Sequence, residues 1–466
     1  MNQIDKNRLF KDLIKDFLQK RKKSKKFYQK ADQYLIQGGS HNLRLGKPFP
    51  FYDRHARGAL VTDLDGNKYI DFWQGHFANI LGHNPLFVTE ALKEYFGSGQ
   101  GLVTGFPGQL QKDLAKLILE SLNAEKIRFT TSGTLASMYS IMLSKSFTKR
   151  ELVMKVGGGW HGAQPYALKG ISIYSDGLKH LESAGLPQNS GSSIIMTRFN
   201  DEKDLEAKFL KHGDEIACLI LEPFIGAGGF IFAGRKYLEK TRQLTERYGT
   251  VLIFDEVISG FRFAPSALQN IYSIKPDLSV LGKTIGGGMP VSAVAGREDI
   301  MFLCSPSTPL ESRVKFEGGT FSAHPASMLA GTLYLQYLQN NADKIYSRIG
   351  HMGNTARQEI EKIFQTRGFN VKCSGLDHEI VKKSSLVGVH FLNEGVDRIT
   401  SPEQVWNSNI CDVEMRENIF KLAMLNEGYN IFHGYGSISF AHTEKDIWSS
   451  LEAVERIAER FKKYRY

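Results

Sequence analysis

Between residues 75 and 335 the chain alternates short apolar runs with helical stretches, and this alternation constrains the fold more than any other feature. KIRFT (126–130), ELVMKV (151–156), ACLILE (217–222), TVLIFDE (250–256) and LSVLGK (278–283) are strand candidates. Strands separated by helices point to an α/β sheet that is largely parallel. In such sheets ligands bind beyond the carboxyl ends of the strands, so chemistry is expected there. At 466 residues the chain exceeds one small core, and two or more domains are expected. GALVTDLDGNKYIDF (58–72) reads as two strands, LVTDL and KYIDF, joined by a hairpin turn at Asp65-Gly66-Asn67. From about residue 336 the pattern passes to helix, irregular strands and a final helix (Glu444–Lys463), which suggests a smaller α+β domain. The expected division is a basic amphipathic helix at 1–30, an N-terminal part of the small domain at 31–74, a large α/β domain at 75–335, and the remainder of the small domain at 336–466.

The net charge of +10 is a property of one end. Residues 1–30 hold 11 Lys and Arg against 3 Asp, so the rest of the chain is nearly neutral. That distribution argues against a nucleic-acid-binding face on the body. Residues 4–30 read as one amphipathic helix with Phe10, Leu13, Ile14, Phe17 and Leu18 on a shared face, followed by RKKSKK. Such a segment either packs on the body with its basic stretch in solvent, or meets an acidic partner or membrane surface. Cys218, Cys304, Cys373 and Cys411 lie far apart without zinc spacing, so neither a metal site nor a disulfide framework is expected. Lys11, Asp12, Lys15 and Asp16 interrupt any signal-peptide core, and no apolar run reaches the ~18–20 residues of a membrane span. A cytoplasmic protein is expected.

Four segments place reactive groups at strand ends. Lys283, in DLSVLGKTIGGGMPVSAVAGR, follows Asp255, in VLIFDEVISGFR, by 28 positions. A lysine and a carboxylate so placed are what a pyridoxal 5'-phosphate enzyme needs. The amine forms a Schiff base with the cofactor aldehyde, and the carboxylate keeps the ring nitrogen protonated so that the ring withdraws electrons. In KIRFTTSGTLASMYSIMLSKS, Ser132, Gly133 and Thr134 open a helix whose Leu135, Met138, Tyr139, Met142 and Leu143 should face the core. They read as a phosphate site at a helix N-terminus or as an ordinary N-cap with a glycine turn. In GGGWHG (157–162) the glycines permit close backbone approach and Trp160 offers a flat face for stacking. The alternative is a loop with a core tryptophan and a structural His161. Glu222, in LILEPFIGAGGF, contacts a cofactor edge or caps the strand.

Together with DLDGNKYIDF, GGTFSAHP and AHTEKDI, these motifs make the chain resemble the class III aminotransferases of pyridoxal-phosphate fold type I. The similarity runs from about Tyr34 to Phe461. It points to the branch containing glutamate-1-semialdehyde aminomutase and the β-amino-acid transaminases. The resemblance implies an α/β large domain with a mostly parallel central sheet, and a smaller α+β domain built from both chain ends. It implies that Lys283 carries the cofactor and Asp255 meets its ring nitrogen. Val257 would pack on one ring face, and Trp160 would take the stacking position usually held by Tyr or Phe. Gly133 and Thr134 would donate to the phosphate. Thr320 would reach the phosphate of a neighbouring subunit, which implies a homodimer with shared sites.

Three departures bear on the branch. Leu135 stands where the family usually has Glu. GGSHNLRLGKPFPF replaces the aminomutase pattern GGVNSPVR, leaving Arg44 as the nearest candidate for a substrate carboxylate. EPFIGAGG is closer to the β-amino-acid transaminases, whereas HGAQPYALKG, Gly185-Leu186-Pro187 and AHTEKDI are closer to the aminomutases. The preferred expectation is an aminotransferase that passes an amino group from a small-molecule donor to a carbonyl acceptor. The alternative is intramolecular transfer of the aminomutase type. A non-catalytic protein of the same fold is invited only by Leu135, and retention of Lys283, Asp255 and Thr320 argues against it.

Overall fold

In the computed structural model, which describes residues 4–172, 178–377, 379–393 and 396–465, the expected strands form and two more join them, Ile194–Thr197 and Ser292–Gly296. The resulting seven-stranded sheet runs in the order Lys126–Thr130, Ser292–Gly296, Leu278–Leu281, Val251–Asp255, Ile216–Leu221, Leu152–Val156, Ile194–Thr197. From Leu278–Leu281 to Ile194–Thr197 every pair is parallel. Ser292–Gly296 is antiparallel to both neighbours. The segment between Leu281 and Ser292 is shorter than a parallel crossover requires, so the chain can only turn back. The three central strands are buried at every position, which is why they read as unbroken apolar runs.

The helix Gly133–Thr148 packs on this sheet. Tyr139 and Leu143 are buried as expected, whereas Leu135, Met138 and Met142 are half-buried. The buried side also takes in Ser137, Ser140 and Ser144. Their hydroxyls donate to Thr134, Ser137 and Ser140 carbonyls of the same helix, so each polar group is satisfied inside the core.

The two chain ends share a second sheet. Leu60–Asp63 and Lys68–Asp71 form the hairpin, where Asp63 Oδ1 accepts from the N–H groups of Asp65 and Asn67 at 3.0 and 2.8 Å. Asp53–Arg57 adds one edge, and Tyr429–Asn430 pairs in parallel with Lys68–Asp71 on the other. A three-stranded sheet of Val371–Ser374, Leu386–Phe391 and Gly436–Ser437 lies in the C-terminal part. Among the described residues no helix is long and apolar enough to cross a membrane, and no cluster of side chains could hold a metal ion.

The single helix expected over 4–30 is two, Lys6–Lys20 and Lys22–Ala31, broken at Arg21. Arg21 is buried. Its guanidinium donates to the carbonyls of Phe17 and Leu425, to Asn426 Oδ1 and to Tyr69 Oη, all within 3.2 Å. Asp65 then caps the second helix by accepting from Lys23 N, Ser24 N and Ser24 Oγ. Part of RKKSKK is therefore a structural joint. Leu9, Leu13 and Phe17 form the buried stripe of the first helix, with Phe10, Ile14 and Leu18 half-buried beside it. Leu13→Ala should cost about 2–5 kcal/mol, read as a lowered urea midpoint with an unchanged slope. An unchanged midpoint would show that this helix is only an appendage.

Candidate active site

Four adjacent parallel strands deliver their carboxyl ends to one place. Asp255 closes Val251–Asp255, Glu222 follows Ile216–Leu221, His161 follows Leu152–Val156 across the glycine loop, and Lys283 follows Leu278–Leu281. His161 Nδ1 lies 2.8 Å from Asp255 Oδ2, and Asp255 Oδ1 accepts from Val257 N at 3.1 Å. Both side chains are buried. The His161 carbonyl accepts from Ser137 Oγ, so the histidine is anchored to the helix as well as to the strand end. Burial lowers the His161 pKa against the opposing pull of Asp255.

Glu222 ties two loops together, accepting from Trp160 N at 2.8 Å and Gly226 N at 3.1 Å. Burial, and then the nearby Asp255 charge, push its pKa upward. Lys283 opens a short 3-10 turn, Lys283–Gly286, with φ of 49°. A non-glycine residue in the left-handed region carries strain of the kind that collects at functional sites. Burial pushes its pKa down to about 8, while Glu222 and Asp255 oppose that shift. The unprotonated amine is thereby more populated near neutral pH than in a free lysine.

Val257 binds these parts sterically. A Cβ added at Gly133 or at Gly282 would come within 3.3 Å of its methyl groups, so both glycines let Val257 fit between the helix start and the lysine turn. Ser132 is the N-cap, with Oγ accepting from Leu135 N at 3.3 Å. The N–H groups of Gly133 and Thr134 have no acceptor among the described residues. Cap and open N-terminus thus coexist. The close approach permitted by Gly157 and Gly158 is to Leu178 and Pro402 of this chain, which an added Cβ would meet at 2.4 and 2.3 Å. Trp160 is 43% exposed. Arg44 ends a short 3-10 turn, Asn42–Arg44, and is exposed. Thr320 is exposed too, its carbonyl accepting from Thr104 Oγ1 at 3.3 Å. Among the described residues neither side chain hydrogen-bonds to Lys283, Asp255, Glu222 or His161.

Residues 44–381 match the family of class-III aminotransferases. The chain belongs to that family. A glutamate-1-semialdehyde 2,1-aminomutase of Thermoplasma acidophilum is 38% identical over 438 residues, covering 93% of this chain and 98% of the relative. Among solved structures, the β-phenylalanine aminotransferase of Variovorax paradoxus matches with a TM-score of 0.84 at 26% identity, covering 97% of each chain. A transaminase solved with pyridoxal 5'-phosphate bound matches with a TM-score of 0.83 at 26% identity, covering 95% of this chain and 98% of its own. This class-III aminotransferase is a pyridoxal 5'-phosphate enzyme, a transaminase or an aminomutase. Its residues fit that cofactor. His161 Nε2 is buried without a partner, the helix start presents two open N–H groups, and a desolvated lysine faces a buried carboxylate.

The structure of the aminotransferase adds titratable groups that sequence reasoning missed. Lys155, buried in the strand Leu152–Val156, donates to the Lys169 carbonyl at 2.9 Å, and burial pushes its pKa down to about 7. A lysine inside an apolar run was the available signal. Arg262 is buried near Lys283, with Nη1 donating to Ser437 Oγ at 3.2 Å. His76 and His433, from opposite ends of the chain, lie within electrostatic reach of each other, and Lys283 reaches His76. Nothing in their spacing joins them. Leu135, like Val257, packs half-buried on the apolar cluster around Ala136, Val280 and Val294, which accounts for an apolar residue at that position.

Proposed function

We propose that this aminotransferase moves an amino group from a small-molecule donor to a carbonyl acceptor, with Lys283 holding the cofactor. The observation that carries the reading is the convergence of Lys283, Asp255, Glu222 and His161 at the ends of four neighbouring strands. Bound pyridoxal 5'-phosphate supplies an aldehyde carbon that accepts an amine and a ring that withdraws electrons. Asp255, oriented by His161 and Val257, would hold the proton at the ring nitrogen. Lys283 Nζ would take the proton from the donor's α-carbon and pass it on, a role suited to an amine with a depressed pKa. Gly133 and Thr134 would donate to the phosphate, with Ser132 fixing their turn. Val257 and Trp160 would flank the ring. Glu222 would position the Trp160 loop through the hydrogen bond to its backbone.

Thr320 would serve the site of a second copy. Leu102, Phe106, Leu310 and Phe321 are exposed apolar side chains, and the Thr104–Thr320 hydrogen bond brings two of the segments that carry them together. Burying such a surface against a second copy would make the homodimer. The division into a large domain at 75–335 and a small domain from both ends is supported by the pairing of Tyr429–Asn430 with Lys68–Asp71. Four unpaired thiols suit a reducing compartment, and the cytoplasm is the proposed location.

Intramolecular transfer is the second reading, favoured by the end-to-end similarity to the Thermoplasma aminomutase. The visible spectrum of the purified protein, titrated with glutamate, alanine and β-amino acids, separates the two. Bleaching by a donor and recovery with a 2-oxo acid would establish a transaminase. A band that no donor bleaches, in a protein that isomerises an amino-aldehyde without a co-substrate, would establish an aminomutase. A protein that takes up no cofactor would overturn both.

A further inference from the structure

Gln74, Gly75, His76 and Phe77 form an unbroken run of left-handed residues, with φ of 48, 61, 63 and 70°. Only one is glycine, so the other three are sterically strained. A run of this kind persists only where its surroundings enforce it. Asp71 does so. Its carboxylate accepts from Trp73 N at 3.1 Å, Gln74 N at 2.9 Å and Asn430 Nδ2 at 2.7 Å, and it pairs with His83 Nε2 at 2.6 Å. The buried Gln74 amide donates to the Asp71 carbonyl at 2.7 Å.

The run sets the position of His76. Its ring lies 5.2 Å from Phe432, 5.6 Å from Trp73 and 6.2 Å from His41, and its turn packs against the Lys283–Gly286 turn. His76 is half-buried and its imidazole has no hydrogen-bond partner among the described residues. Lys283, His433, His41 and Arg44 surround it electrostatically. Every one of them is a cation or an imidazole. Glu417, the carboxylate beside His433, is already engaged by His433 at 3.2 Å and by Arg416 at 2.8 Å. A face with an unpaired donor and positive charge is complementary to an anion. A neutral imidazole still offers one N–H, and Arg44 supplies charge beside it.

We infer that His76 is a specificity-determining residue, whose imidazole donates to the carboxylate of the amino substrate and so selects carboxylate-bearing donors over plain amines. The inference rests on the amino-transfer reading above. The strained turn is then the device that brings the ring to the lysine side of the site, where an unstrained strand end would not place it.

The test compares wild type with His76→Leu and His76→Asn as holoproteins. Asparagine tolerates the left-handed region and keeps a donor. Calorimetry measures binding of pentanoate, a carboxylate without an amino group. Kinetics follow the best donor of the panel and the amine left when its carboxyl is removed. His76→Leu should weaken pentanoate and raise KM for the carboxylate donor by about 10- to 100-fold, with kcat within about threefold and the plain amine unaffected. His76→Asn should recover most of the loss. Equal pentanoate affinity in wild type and His76→Leu, or equal losses for the donor and its plain amine, would overturn the inference. Should His76→Leu not fold, His76→Gly takes its place, since glycine accepts this backbone without strain. A wild-type protein that takes up no cofactor refutes amino transfer itself, and the pentanoate comparison is then made on the same three proteins without cofactor, where equal affinities would still overturn the role of His76.

Discussion

Lys283→Ala should lower kcat by about 1,000-fold or more while leaving the fold intact, because one atom serves two purposes. In the proposed mechanism Nζ would be both the attachment point for the cofactor and the base that carries the substrate proton, and a positioned base alone contributes about 10²–10⁴-fold. No neighbour can substitute. Lys155 Nζ is held inside its strand by the Lys169 carbonyl, Arg262 does not release a proton near neutral pH, and burial pushes the His76 pKa down to about 2, too weak a base for the task. The fold should survive because the substitution removes a partly desolvated cation and shortens a side chain at a strained backbone position. Borohydride reduction followed by peptide mass analysis should find the cofactor on the Lys283 peptide of the wild type and on no peptide of the variant. Turnover within tenfold of wild type, in a variant with an unchanged melting temperature, would sink the assignment of Lys283.

The parts of this site that can be read from sequence are those whose chemistry is local to one strand end. Asp255, Lys283 and Glu222 each follow an apolar run closely enough for a parallel sheet to collect them. Direction is harder to read. Ser292–Gly296 is as apolar as its neighbours and gives no sign of running backwards until the length of its connection is weighed against a crossover. A joint is equally hard to read. The apolar stripe ends at Leu18 and no helix breaker stands at Arg21, so only its partners Tyr69, Leu425 and Asn426, remote in the chain, mark the break there. His76 is the extreme case. WQGHF contains one glycine, yet four residues in a row are left-handed, because Asp71, His83 and Asn430 close around the turn. Strain enforced by tertiary contacts leaves no mark in local composition. Thr320 is missing from its site for a different reason, since its proposed role belongs to a second copy of the chain.

Asp255 permits a cleaner separation of charge from shape than Lys283 does. Its carboxylate accepts from Val257 N through Oδ1 and pairs with His161 through Oδ2. Asp255→Asn keeps an oxygen for the imidazole N–H and nearly the same volume, losing only the acceptor for Val257 N, but it cannot hold a proton at the ring nitrogen by charge. Asp255→Ala loses both functions and leaves a buried His161 Nδ1 without a partner. The asparagine variant should therefore fold and take up cofactor normally, yet transfer amino groups about 100- to 1,000-fold more slowly, the cost typical of losing one preorganised electrostatic contact. The alanine variant should be as slow and also less stable, by about 1–3 kcal/mol for the orphaned donor. Rapid mixing with donor alone resolves the two effects, because the bleaching rate reports the chemical step before any acceptor is needed. If Asp255→Asn bleaches within tenfold of wild type, the charge of Asp255 is not what activates the ring, and the pair with His161 is a structural contact at the base of the pocket. If it is slow and stable while the alanine variant is slow and unstable, the same carboxylate supplies the electrostatics of the reaction and the clamp that holds the glycine loop in place.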